Sequence, residues 1–252
     1  MAKPRVLIIR APGTNCDFET DYAFSQSGAS TRLAHINELI DKKLAVSQYQ
    51  VLVFPGGFTY GDDLGAGKIM GNEIRLKLGG DIDNFVSGGG LILGICNGFQ
   101  VMVKAGILPG NGQTVTLTGN DSGRFECRWI HLQANPESNC VFTRGIERLY
   151  LPVANGEGKL VAASQTLEIL NIALYYCDEA GNRTAEYPGN PSGSLNGIAG
   201  ISDATGRVFA LMPHPERHFR PQHHPRWTRG QASSPGDGYK IFANAVDWVK
   251  SL

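Results

Sequence analysis

The stretch Gly94-Ile95-Cys96-Asn97-Gly98 sets a cysteine between two glycines, each two positions away. It lies where the apolar run Leu91-Ile92-Leu93-Gly94-Ile95 gives way to a helical pattern over 97–105 that Gly106 ends. The pattern is the cysteine counterpart of the serine nucleophile elbow. The glycines permit a tight, strained turn that lifts residue 96 out at the carboxyl end of a sheet, where open α/β folds bind ligands. A sulfur so placed is a nucleophile, its anion favoured by the first amides of the helix and by a neighbouring imidazolium. A cysteine in an apolar run is ordinarily packed in the core. Strand, paired glycines and helix together favour the chemical reading.

Such a nucleophile needs a base, and Met212-Pro213-His214-Pro215-Glu216 supplies one directly after the apolar run Val208-Phe209-Ala210-Leu211. The prolines stiffen the segment and force His214 into an extended conformation, in which residues 214 and 216 point to the same side. Glu216 then orients the ring through one nitrogen and leaves the other for Cys96. Taken alone, the segment would read as a proline-rich turn with a surface histidine; beside the elbow, a Cys96–His214–Glu216 triad is the better account. Acyl transfer also needs donors for an oxyanion. The backbone amide of Asn97 is one, and Gly57, in Pro55-Gly56-Gly57-Phe58 after a third apolar run, is the candidate for the other.

These pieces require a scaffold that brings several strand ends together. Arg5-Val6-Leu7-Ile8-Ile9-Arg10, 31–35, Val51-Leu52-Val53-Phe54 and 91–95 read as buried strands. Between them the pattern predicts helices over 17–27, 37–44 with Asn37 as cap, and 69–86 with an interruption at Gly79-Gly80. Alternation of this kind specifies a mostly parallel central sheet flanked by helices. Beyond about residue 110 the runs 115–118, 125–132, 148–152, 160–163, 173–176 and 208–211 are strand-like, and we read them as added antiparallel strands. A helix over 237–250 follows, with Tyr239, Phe242, Val246 and Val249 at helical spacing on the core side. Residues 217–235 are poor in apolar side chains and read as a long loop. We expect a single domain over 1–252.

Composition narrows the function classes. With 42% apolar and 18% charged residues, the chain is too apolar for wholesale disorder. Twenty-three basic against 23 acidic residues give no global field for nucleic acid or a membrane, and no apolar run approaches a bilayer span. The first residues have no secretory pattern. Five cysteines without a CxxC pair argue against a disulfide framework or zinc site and fit a reducing cytoplasm. Cys16 is a rival nucleophile without elbow glycines, whereas Cys127, Cys140 and Cys177 lie in or beside strand-like runs and are expected to be packed. The run Arg217, His218, Arg220, His223, His224, Arg226 and Arg229 reads as a solvated loop, with contact to an acidic partner or a phosphate as the alternative. Residues 59–67, rich in Gly and Asp, have the composition of a lid or docking loop.

A PGG loop, then G-x-C-x-G-x-Q, then H-P-E near the C-terminus, in this order, resembles the class I (triad) glutamine amidotransferases. The flanking blocks are similar to one branch, the glutaminase components of phosphoribosylformylglycinamidine synthase. They are Ala11-Pro12-Gly13-Thr14-Asn15-Cys16-Asp17, residues 56–67, Cys96-Asn97-Gly98-Phe99-Gln100, Arg124-Phe125-Glu126, residues 152–158 and Pro213-His214-Pro215-Glu216-Arg217. The resemblance implies hydrolysis of L-glutamine to glutamate and ammonia through a thioester on Cys96, with Gln100, Phe58, Asn120, Arg124 and Phe125 as glutamine-binding residues. It implies delivery of the ammonia to an ATP-dependent synthetase subunit that makes formylglycinamidine ribonucleotide in purine biosynthesis. A large synthetase subunit and a small bridging subunit would be the partners. No cofactor or metal would sit in this chain, with ATP and Mg2+ at the synthetase. The alternatives are another triad cysteine amidase or peptidase, and a non-enzymatic docking subunit.

Overall fold

The computed structural model describes residues 2–110, 112 and 115–252. The first part runs β1 (Arg5–Arg10), α1 (Asp17–Gln26), β2 (Ser30–His35), α2 (Ile36–Ile40), β3 (Val51–Phe54), α3 (Lys68–Lys77), α4 (Gly79–Ser87), β4 (Leu91–Ile95) and α5 (Asn97–Ala105). The second runs β5 (Val115–Thr118), β6 (Glu126–Ala134), β7 (Arg148–Asn155), β8 (Lys159–Ala162), α6 (Ser164–Glu168), β9 (Asn171–Cys177), β10 (Ile198–Ser202), β11 (Val208–Leu211) and α7 (Tyr239–Lys250). Nine strands form one sheet in the order β2-β1-β3-β4-β11-β10-β9-β6-β7, and β5 pairs with β8 apart from it. The first five strands of that order are parallel and the remainder antiparallel. The α/β expectation is met.

Three differences from the sequence reading matter. Val208–Leu211 is not an antiparallel addition: β11 pairs in parallel with β4, Leu211 opposite Ile95. Its residues are buried without exception, as a strand covered on both faces must be, and an apolar run carries no mark of its direction. Strand β10 escaped notice because Gly200 divides it and Gly197 precedes it. Helix α2 starts earlier and is capped by His35, whose side chain accepts from Asn37 N while Glu38 reaches back to the His35 amide. Smaller corrections are the break between α3 and α4 at Leu78, ahead of the glycine pair, and the short helix α6, which the sequence did not suggest.

The core is continuous across the sheet. Strands β3 and β4 have no exposed residue. Helix α7 buries Ile241, Phe242, Ala245 and Val246, while Tyr239 and Val249 pack at its margin. Phe242 meets Phe24 of α1 edge to face at 5.0 Å, which ties the last helix to the helix that begins beside Cys16. No helix among the described residues is long and apolar enough to cross a membrane. Phe242→Ala should cost about 3–5 kcal/mol in urea unfolding, because the cavity opens where two helices meet the sheet.

Candidate active site

Parallel strands deliver their carboxyl ends to one edge, and the site is built there. Phe54 lies opposite Gly94 and Leu211 opposite Ile95, so the segments after β3, β4 and β11 emerge side by side. The amide of Cys96 donates to the Leu211 carbonyl at 2.8 Å, which fixes the register at the point where both strands end. The segment after β1 joins them through a bridge between Thr14 and Gly57. Gly57 has φ +152°, and a Cβ there would lie 2.8 Å from the Asn15 amide nitrogen.

Cys96 adopts φ 51°, ψ −106°, a conformation that L residues avoid and that costs about 1–3 kcal/mol where the surroundings impose it. Its carbonyl starts α5, accepting from the amides of Phe99 and Gln100. Gly98 passes so close to the Phe54 carbonyl oxygen that a Cβ would overlap it. Cys96 is 5% exposed, and its thiol donates to the Ala154 carbonyl at 3.6 Å.

His214 has an extended backbone, φ −105° and ψ 91°, but the extended stretch stops there. Pro215 opens a turn of 3-10 helix over Pro215–His218, and this curl, not strand geometry, brings Glu216 back to its neighbour. The reason inferred from the sequence was wrong although the pair itself forms. His214 Nδ1 donates to Glu216 Oε1 at 2.6 Å, with both side chains buried. Nε2 is then the free nitrogen, and it has no hydrogen-bond partner among the described residues. Burial opposes a charge on the ring, yet the Glu216 carboxylate, with Cys96 and Cys16 beside it, raises the imidazole well above its ordinary value.

Asn97 and Gln100 form a buried network. Asn97 Oδ1 accepts from the Thr59 amide and hydroxyl, at 3.1 and 2.8 Å. Its Nδ2 donates to Gln100 Oε1 at 2.9 Å and to Asp62 Oδ1 at 3.3 Å. Gln100 Nε2 donates to the Glu157 carbonyl at 2.7 Å. The loop over 59–67 is therefore docked on α5, with Tyr60 and Asp62 both at φ 55°. Burial, reinforced by Glu157, raises the Asp62 carboxyl. Phe58 and Phe125 are exposed and face each other at 6.2 Å. Asn120 is buried, donating to the carbonyls of Arg124 and Asn155 and accepting from the Gly158 amide. The exposed Arg124 borders this turn.

Sequence reasoning did not anticipate the surroundings of Cys16. Its sulfur is buried 4.0 Å from His214 Nδ1 and accepts from Arg217 Nη2 at 3.0 Å. The block containing it was visible, but nothing in its chemistry said where it would lie. Cys16, His214 and Glu216 offer atoms within 4.8 Å of one another, but a 2.6 Å N–H···O contact leaves no room for a cation between ring and carboxylate. Cys140 and Cys177 are packed as expected, burial pushing Cys140 up to about 11, whereas Cys127 is exposed. The basic run is dispersed, with Arg217 near Glu19, Arg220 over the Tyr22 ring and His218 buried against the Tyr150 carbonyl. A separate cavity of about 620 Å³, lined in part by His131, Arg148, Tyr150 and Arg226, contains none of the elbow residues.

Comparison with known proteins identifies the family. The family model for the CobB/CobQ-like glutamine amidotransferase domain matches residues 3–249. A relative from Dehalococcoides mccartyi, phosphoribosylformylglycinamidine synthase subunit PurQ, is 57% identical over 255 residues, covering 100% of both chains. The protein of the same name from Methanococcus maripaludis is 42% identical, covering 97% of each. Among solved structures, a chain from the structure of PurLQS from Thermotoga maritima superposes with a TM-score of 0.77 at 29% identity, over 98% of this chain and 100% of that one. The chain belongs to the CobB/CobQ-like glutamine amidotransferase family.

Proposed function

We propose that the chain is the glutaminase subunit of phosphoribosylformylglycinamidine synthase. It hydrolyses L-glutamine to glutamate and ammonia and passes the ammonia to the ATP-dependent synthetase subunit, which converts formylglycinamide ribonucleotide to formylglycinamidine ribonucleotide. The full-length match to subunits of that name supports the assignment. The observation that carries the chemistry is a cysteine held at positive φ on a strand-to-helix bend, beside a buried imidazole bonded to a carboxylate. A large synthetase subunit and a small bridging subunit are the partners in this reading, with ATP and Mg2+ bound by the synthetase. The family match over residues 3–249 and a sheet whose strands run from Arg5 to Leu211 support one domain. Five unpaired cysteines support a cytoplasmic location.

Cys96 attacks the carboxamide carbon of glutamine while His214 Nε2 takes the thiol proton. The amides of Gly57 and Asn97 receive the oxyanion. His214 then gives the proton to the departing nitrogen, ammonia leaves, and a γ-glutamyl thioester remains. Water, deprotonated by His214, attacks the thioester and releases glutamate and the thiol. Glu216 holds the ring in the tautomer that both steps need. Phe58, Arg124 and Phe125, exposed beside the turn that Asn120 holds, contribute to glutamine binding. Gln100 and Asn120 contribute through the 155–158 backbone that their amides hold.

In the assembled synthase, Cys96→Ala should abolish synthesis from glutamine while leaving synthesis from added ammonium salts. Glutamine-dependent turnover by that variant would sink the assignment. The raised imidazole gives a second prediction. The His214–Glu216 pair adds stability that is full below the unfolded-state value of about 6.5 and is lost as pH rises through the higher folded-state value. The Tm deficit of Glu216→Gln relative to wild type should therefore be larger at about pH 6 than at about pH 10, measured by calorimetry.

A further inference from the structure

Arg217 follows Glu216 directly, and its guanidinium does not bond to that carboxylate. Glu216 spends Oε1 on His214, and Oε2 is buried with no hydrogen-bond partner among the described residues. Glu216 is among the charges that bear on Arg217, and a guanidinium near a buried, half-used carboxylate would ordinarily form a charge-assisted pair with it. Arg217 Nη2 instead donates to Cys16 Sγ at 3.0 Å, and the same atom lies 3.7 Å from Glu19 Oε1 of α1.

Cys16 is well placed to hold it. Its amide donates to the Gly56 carbonyl, and its own carbonyl accepts from the amide and hydroxyl of Thr20. The thiol donates to Asn15 Oδ1 at 3.2 Å, leaving its lone pairs for Arg217. Gly56 provides the slot in which sulfur and imidazole meet, since a Cβ there would lie 2.8 Å from His214 Cε1 and 3.0 Å from Cys16 Sγ. Burial pushes the Cys16 thiol up more than the adjacent His214 pulls it down, so the acceptor is neutral at physiological pH.

We propose that Cys16 is a positioning residue: its sulfur holds the Arg217 guanidinium beside Glu216 instead of on it, so that the carboxylate charge is directed to His214. The inference rests on the functional reading above. The groups that bear on the imidazole are Glu216 from its own segment, Cys96 from the elbow and Cys16 from the loop before α1, while Arg217 bears on Cys16, Glu216, Glu19 and Cys96. Without the sulfur, Arg217 swings onto Oε2 and competes with the ring for the carboxylate.

The test follows the His214 ring by NMR through a pH titration of the full chain, its signal assigned by loss in His214→Asn. Glutaminase kinetics of the assembled synthase are measured in parallel. Cys16→Ala should lower the His214 midpoint by at least ~0.5 pH unit. Its kcat should fall roughly tenfold with KM within about twofold. Cys16→Ser, which returns an acceptor to Arg217, should stay close to wild type. Cys16→Ala combined with Arg217→Gln, which has no cation to swing, should recover most of the shift, short of wild type by the sulfur's own contact with the ring. If Cys16→Ala does not fold, Cys16→Val takes its place. An unchanged midpoint in the single variant, or a shift that persists undiminished in the double variant, overturns the proposal; a lowered Tm with an unmoved midpoint marks a packing role and does so too. The titration needs no turnover, so wild-type enzyme that fails to hydrolyse glutamine would remove the functional reading while the titration still decides on Cys16.

Discussion

The parallel pairing of β4 with β11 is the constraint from which the rest of the site follows. One hydrogen bond, from the Cys96 amide to the Leu211 carbonyl, marks the place where both strands stop. From there one chain turns sharply into α5 and the other continues through two prolines to His214. A slip of one residue in this register would send the imidazole or the thiol to the opposite face of the sheet. Cys96 and His214 are 118 positions apart in the sequence, yet their separation in space is set by backbone pairing that no side chain has to maintain.

On that frame, the polar groups behave in two distinct ways. Asn97, Gln100, Asn120 and Glu157 are bonded to backbone or to each other, and they join the segments around the elbow into one unit. His214 Nε2 and Glu216 Oε2, by contrast, are buried without partners among the described residues. Buried polar atoms are normally satisfied because leaving them bare costs free energy. Other buried polar atoms also lack partners among the described residues, those of Asn155 and Tyr176 included, but only the pair at 214 and 216 belongs to a bonded imidazole and carboxylate.

Much of this was legible beforehand, for physical reasons that differ from element to element. The elbow could be read because it needs glycines at fixed offsets between a strand and a helix, and few residue types satisfy that geometry. The His214–Glu216 pair could be read because prolines restrict the backbone around it, although the turn that closes it was not foreseen. Strand direction was illegible at 208–211, since β-branched and aromatic residues buried on both faces look alike whichever way they run. Strand β10 was hidden by its central glycine. Cys16 was invisible as a neighbour of His214 because its position depends on the β1–β3 pairing and on the Thr14–Gly57 bridge, and single-residue chemistry says nothing of either.

The placement of β11 bears on how the molecule comes into being. It is the last strand in the chain, but it occupies the interior of the sheet, with β4 on one side and β10 on the other. A nascent polypeptide therefore carries two unfinished half-sheets whose inner edges stay bare until residues 208–211 emerge and insert between them. Cys96 is made long before His214, and the same insertion that seals the hydrophobic interior also brings the imidazole to the elbow. Synthesis order and topology thus keep Cys96 and His214 apart until residues 208–211 have joined the sheet.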